Sequence, residues 1–144
     1  MWVVSPLMTH PKQITLSTGL ETYINSLEIA RKLANVVKIT LGGHENPIYD
    51  LDGRIDEIRK VHRERLQMVL KLLESPCTIA DISKYLFGKV EGYTVLLALE
   101  EAGAHVEYLY QRGYLNIANL AEVEESQKLV PILYQCVDCK LDNI

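Results

Sequence analysis

The stretch Val36–Ile48, VVKITLGGHENPI, decides how this chain is read. Its first half is apolar and β-branched, the composition of a strand buried on both faces. The run ends in Gly42 and Gly43, releases one histidine, His44, and closes on a turn at Pro47. Strand ends are where folds build sites, and a histidine freed there by flexible backbone is a natural metal ligand. A catalytic metal needs at least three protein ligands, so the reading turns on where the partners of His44 stand.

Upstream, Thr18-Gly19-Leu20-Glu21 has capping-box spacing, in which the threonine hydroxyl accepts the third amide and the glutamate reaches back to the cap. Leu20, Ile24, Leu27 and Leu33 follow at helical spacing and predict a helix from about 19 to 34. Before it, MWVVSPL is a short apolar run stopped by Pro6, and THPKQITLS reads as an exposed loop. Strand, helix and strand make a βαβ-like piece that cannot cover both its faces. Residues 1–50 therefore read as the margin of a larger sheet.

Downstream the period changes. Asp52 is a candidate N-cap, and Ile55, Ile58, Val61, Leu66, Val69, Leu70 and Leu73 predict a long helix to about Glu74, ended by Pro76. Thr78-Ile79-Ala80-Asp81 is a second capping-box start, with Asp in place of Glu, leading into a helix stopped by Gly88. A third helix spans about Tyr93 to Gln111 with Gly113 as its stop, and YLNIANL and LVPILYQCV are β-prone. Three helices followed by a hairpin is the order of a winged helix. The chain thus divides near residue 50 into an α/β piece, 1–50, and a mainly α, winged-helix-like domain, 51–144.

Composition narrows the chemistry. A formal charge of −4 and a pI near 5.6 argue against a chain held to nucleic acid by bulk charge. The third helix carries Glu100, Glu101 and Glu107 against a late Arg112, a face that would repel phosphate. On the first long helix, Arg54, Arg59, Lys60, Arg63, Arg65 and Lys71 interleave with acids and read as an i,i+4 paired, solvated face. Three cysteines do not make a disulfide framework, and no signal peptide or membrane span is legible, so the expectation is a soluble, cytoplasmic chain.

His10, His62 and His105 share no ligand spacing and read as ordinary loop and helix residues. Cys136 and Cys139 form a lone C-x-x-C, weak for zinc or redox work, whose side chains in a regular strand would face opposite ways. Cys77 has no nearby base. No P-loop, GxGxxG or GxSxG is present, which removes the anchors of nucleotide binding and serine hydrolysis.

GLETYINSLEIARKL, GGHENPIYDLDGRIDEIRKVHRERL and GYTVLLALEEAGAHVEYLYQRGYL together resemble the C-terminal part of metallo-β-lactamase-fold hydrolases with an appended winged-helix domain. The resemblance covers roughly residues 1 to 120. It implies the edge of an αββα sandwich whose strand ends hold one or two metal ions, usually zinc, that activate water against an ester, thioester, amide or phosphodiester. It also implies that His44 is the last metal ligand, although Glu45 follows where many members have glycine.

The family's first ligand cluster, His-x-His-x-Asp-His, and its third histidine motif do not occur here. Its bridging aspartate would stand just before WVVSPLMTH, so the chain reads as the C-terminal portion of such an enzyme. The expectations are no hydrolytic activity for this chain alone, no catalytic residue within it, and the N-terminal half of the hydrolase fold as partner. Self-association through the edge of VVKITL is also expected. The reading from another class is a free-standing winged-helix module that binds protein or, weakly, nucleic acid.

Overall fold

The computed structural model describes residues 19–43, 46–137 and 139–140. The predicted strand MWVVSPL, Thr18, His10 and His44 lie outside the described residues. The elements run α1 (Leu20–Arg31), α2 (Leu51–Leu72), α3 (Ile79–Phe87), α4 (Tyr93–Gln111), β1 (Leu115–Ile117), α5 (Leu120–Glu125) and β2 (Tyr134–Cys136).

Helix α1 starts at Gly19, whose φ of 93° suits glycine, with no side chain capping it. It buries Leu20 and Ile24. Helix α2 is capped two residues earlier than predicted: Asp50, not Asp52, accepts the Gly53 amide at 2.9 Å. Gly53 permits that approach, since a Cβ there would stand 2.4 Å from the Asp50 carboxylate. Asp52 is left in the first turn, where it pairs with Arg31 instead. The Thr78–Asp81 capping box forms in full at the start of α3, and Gly88 and Gly113 terminate α3 and α4 in left-handed conformations.

The apolar stripes meet in one core. Leu66, Val69 and Leu70 of α2 and Leu73 at its C-cap pack with Ile82 of α3, Val106 and Leu109 of α4 and Leu115 of β1, and Leu20 and Ile24 of α1 belong to the same cluster. Helix α1 is thus packed into the helical lobe rather than held at its margin.

One sequence expectation is corrected. The stretch VVKITL does not form a strand: Thr40 alone pairs with Ile48 in an isolated bridge, and Val36, Ile39 and Leu41 are 75%, 52% and 75% exposed. A strand needs continuous neighbours on its edges, and beyond that one bridge none is supplied among the described residues. Between the two β-prone runs, Leu120–Glu125 forms the short helix α5.

β1 and β2 pair antiparallel with Leu115 opposite Cys136 and Ile117 opposite Tyr134, and Cys77 bridges to Tyr134 from the other side. Cys136 and Cys139 are disulfide-bonded, with Cα atoms 5.7 Å apart. Their convergence follows from β2 ending at Cys136, which stops the strand alternation that would have kept them apart.

Candidate functional site

On α2, His62 and Arg65 are three residues apart; on α4, Glu101 and His105 are four apart. Each pair therefore lies on one helix face. As α2 advances from His62 to Arg65, its contacts on α4 step back from His105 to Glu101, so the two helices run antiparallel and the four side chains meet.

His62 Nδ1 stands 3.1 Å from His105 Nε2, His105 Nδ1 is 2.7 Å from the Glu101 carbonyl oxygen, and Arg65 Nη1 is 2.6 Å from Glu101 Oε1. Glu101 Oε1 is also 3.9 Å from Nδ1 of each histidine. Glu101 and His105 are 0% exposed and His62 is 4% exposed. Tyr23 of α1 packs its ring edge-on against His62, and the Arg65 guanidinium lies over the Phe87 ring of α3.

Burial, helped for His62 by the Arg65 charge, lowers the His62 pKa to about 4. Burial lowers that of His105 to about 3, against the opposing pull of its hydrogen bond to the Glu101 carbonyl. Both rings are neutral near pH 7, and geometry fixes their tautomers. A carbonyl only accepts, so His105 carries its proton on Nδ1 and offers the Nε2 lone pair; His62 then donates from Nδ1. The cluster is hydrogen-bonded and charge-balanced, with one carboxylate against one guanidinium.

Two histidines and a glutamate within 4.8 Å of one another are the donor set of a hydrolytic zinc site. The surroundings do not fit the ion. A divalent metal added to a carboxylate already paired with Arg65 would leave two uncompensated positive charges in a water-excluded interior, a large desolvation penalty. The metal that the resemblance implies is therefore not assigned to this cluster.

His62 and His105 share no ligand spacing in the sequence, and the structure brings them together. Glu101, expected on an outward, phosphate-repelling face, is instead fully buried against Arg65. A signal was present: His62, Leu66 and Val69 share one helical stripe, as do Ala98, Glu101, His105 and Leu109, so the polar residues stand in apolar register. Of the basic residues of α2, Arg59 bonds Glu28 of α1 and Arg65 bonds Glu101 of α4, while Arg54–Glu57 and Lys60–Glu64 pair along α2 itself; from α1, Arg31 reaches Asp52 and Asp56 at 2.5 Å each. Cys77 is free and half-buried. Among the described residues, no helix is long and apolar enough to cross a membrane.

No family model matches the sequence, and no curated protein matches it. Solved structures do. A metallo-beta-lactamase family protein from Thermus thermophilus superposes with a TM-score of 0.65 at 25% identity, over 87% of this chain and 38% of that one. A beta-lactamase domain protein from Burkholderia ambifaria superposes with a TM-score of 0.70 at 23% identity, over 86% of this chain and 38% of that one, a likeness of fold alone. The chain spans 38% of the length of each, so what it is similar to is a part of a metallo-beta-lactamase family protein.

Proposed function

We propose that the chain is the C-terminal portion of a metallo-β-lactamase-like, metal-dependent hydrolase acting on an ester, thioester or phosphodiester. The observation that carries this reading is the likeness to metallo-beta-lactamase family structures over nearly all of this chain and 38% of theirs. On this reading His44 supplies one ligand of a zinc site, and the others come from the portion of the fold that precedes the matched region. Zinc there would activate the attacking water.

The order α2, α3, α4, β1, α5, β2, with β1 and β2 paired and Cys77 bridging Tyr134, supports taking residues 51–144 as a winged helix packed beside that site. The exposed set Ile29, Leu33, Val36, Ile39 and Leu41 supports a covered face on the α1 side, where the rest of the sandwich would lie.

A winged helix that stands alone is the second reading, and the start of α4 bears on its partner. Tyr93, Val95 and Leu96 are exposed there with no basic residue among them. That surface suits a protein partner better than a phosphate backbone.

The test is hydrolysis of ester, thioester and phosphodiester substrates with zinc, by the 144-residue chain and by the polypeptide as isolated from its cell. The proposal expects activity only in a species heavier than 16.4 kDa, lost in His44→Ala. Zinc-dependent activity in the 144-residue chain, lost in the same variant, would refute the partial-site reading. An endogenous mass of 16.4 kDa with no activity would leave the interaction module.

A further inference from the structure

The His62–Glu101–His105 cluster poses a question that the proposed hydrolase site does not answer. It has the donors of a transition-metal site, arranged from two helices with one donor already oriented from behind. His105 gives its Nδ1 proton to the Glu101 carbonyl oxygen at 2.7 Å, which aims Nε2 at the centre of the cluster. This outer hydrogen bond is the arrangement that metal-bound histidines use to fix tautomer and ring orientation. What differs from a metal site is the cation.

Arg65 places a permanent positive charge 2.6 Å from Glu101 Oε1 and is held there by the Phe87 ring, 5.3 Å from the guanidinium carbon. With Arg65, the cluster sums to zero. A divalent ion in its place would give a sum of +1, that of a two-histidine, one-glutamate zinc site. With both, the sum is +2 in a region where His62 is 4% exposed and Glu101 and His105 are 0% exposed. Guanidinium and metal therefore exclude each other. Arg65 alone of the four is substantially exposed, its side chain at 29%, so it also stands between the cluster and solvent.

We propose that the Arg65 guanidinium takes the place of a divalent metal ion, so that His62, Glu101 and His105 form a latent transition-metal site kept metal-free by the chain's own cation. Removing that charge opens the site to zinc or cobalt. His62 then carries its proton on Nε2 and presents Nδ1, and water fills the fourth position in the space the guanidinium vacates. The inference is independent of the hydrolase reading, because it concerns other residues and a readout other than activity.

The experiment titrates zinc and cobalt into the wild-type protein, Arg65→Ala and Arg65→Lys, following the thermal midpoint and the visible absorption of bound cobalt. Wild type and Arg65→Lys, which keep the charge, show neither a midpoint shift nor cobalt bands. Arg65→Ala gains one equivalent of metal, four-coordinate cobalt bands, and a midpoint raised by roughly 5–10 °C at a hundredfold excess over Kd. Adding Glu101→Gln to Arg65→Ala abolishes the gain. Stoichiometric zinc binding by wild type that His105→Ala removes overturns the proposal, as does a folded Arg65→Ala that binds no metal. Should Arg65→Ala fold neither with nor without zinc, Arg65→Gln replaces it under the same criteria, and the wild-type titration still decides whether the native cluster excludes metal.

Discussion

Acidification should destabilise this protein well before its carboxylates protonate, and the magnitude follows from the buried histidine pair. His62 falls from an ordinary 6.5 to about 4 and His105 from 6.5 to about 3 in the folded chain. Both pKa values are depressed on folding, so between pH 6.5 and pH 4 the unfolded chain binds protons that the folded chain refuses. Stability then rises with pH and is lost as pH falls through that window. By about pH 7.5 both states are nearly neutral and the pair contributes little slope.

Each proton bound only by the unfolded chain costs about 1.4 kcal/mol per pH unit, so lowering pH from 6.5 to 4.5 removes about 2 kcal/mol per histidine. The rings are hydrogen-bonded to each other and titrate as a pair, so the combined loss is roughly 2–4 kcal/mol rather than a strict sum. That is a large fraction of the 5–15 kcal/mol typical of a domain. Urea unfolding at pH 7.5, 6.5, 5.5 and 4.5 measures it directly. The double variant His62→Gln, His105→Asn should start less stable and show a much flatter profile. A wild-type profile flat to within ~0.5 kcal/mol across this window, or a slope unchanged in the double variant, would refute the assignment of two neutral buried rings.

Three further outcomes are expected. Leu66→Ala, at a 0% exposed core position between α2 and its neighbours, should cost about 2–5 kcal/mol in urea unfolding without changing the fold. Gly53→Ala should cost about 1 kcal/mol, despite alanine's better helix propensity, because its Cβ would displace the Asp50 carboxylate that caps α2; pairing it with Asp50→Ala should remove most of that cost. Val36→Lys with Leu41→Lys, both 75% exposed before substitution, should lower self-association in sedimentation velocity while leaving the unfolding midpoint nearly unchanged.

The helical half was legible because its signals are local. The Thr78–Asp81 capping box and the glycine stops at 88 and 113 act within a few residues, and the structure forms them as the spacing predicts. The N-terminal half was less legible because a strand is not a local object: VVKITL has strand composition, but strand formation depends on edges that the described residues do not supply. The buried cluster was missed for a related reason. His62 and His105 are 43 residues apart, and only the antiparallel passage of α2 and α4 joins them. His44, on which the resemblance rests its metal, lies outside the described residues.

Helix α1 ties these observations together. Its first half buries Leu20 and Ile24 in the common core, while Ile29 on its last turn and Leu33 just beyond are 65% and 52% exposed. A helix stripe that burial accounts for only in part has a second face to cover. The polar contacts fix which way that face points. Tyr23 abuts His62, Arg59 bonds Glu28, Arg31 grips Asp52 and Asp56, and Arg112 holds Glu21 at 3.1 Å. Each ion pair is at least partly exposed and individually worth little, yet together they set the azimuth of α1 along its length. The apolar core gives α1 its affinity for the helical lobe, and the charged contacts give it an orientation. The residues that neither set of contacts covers, Ile29 and Leu33 followed by Val36, Ile39 and Leu41, are each more than half exposed.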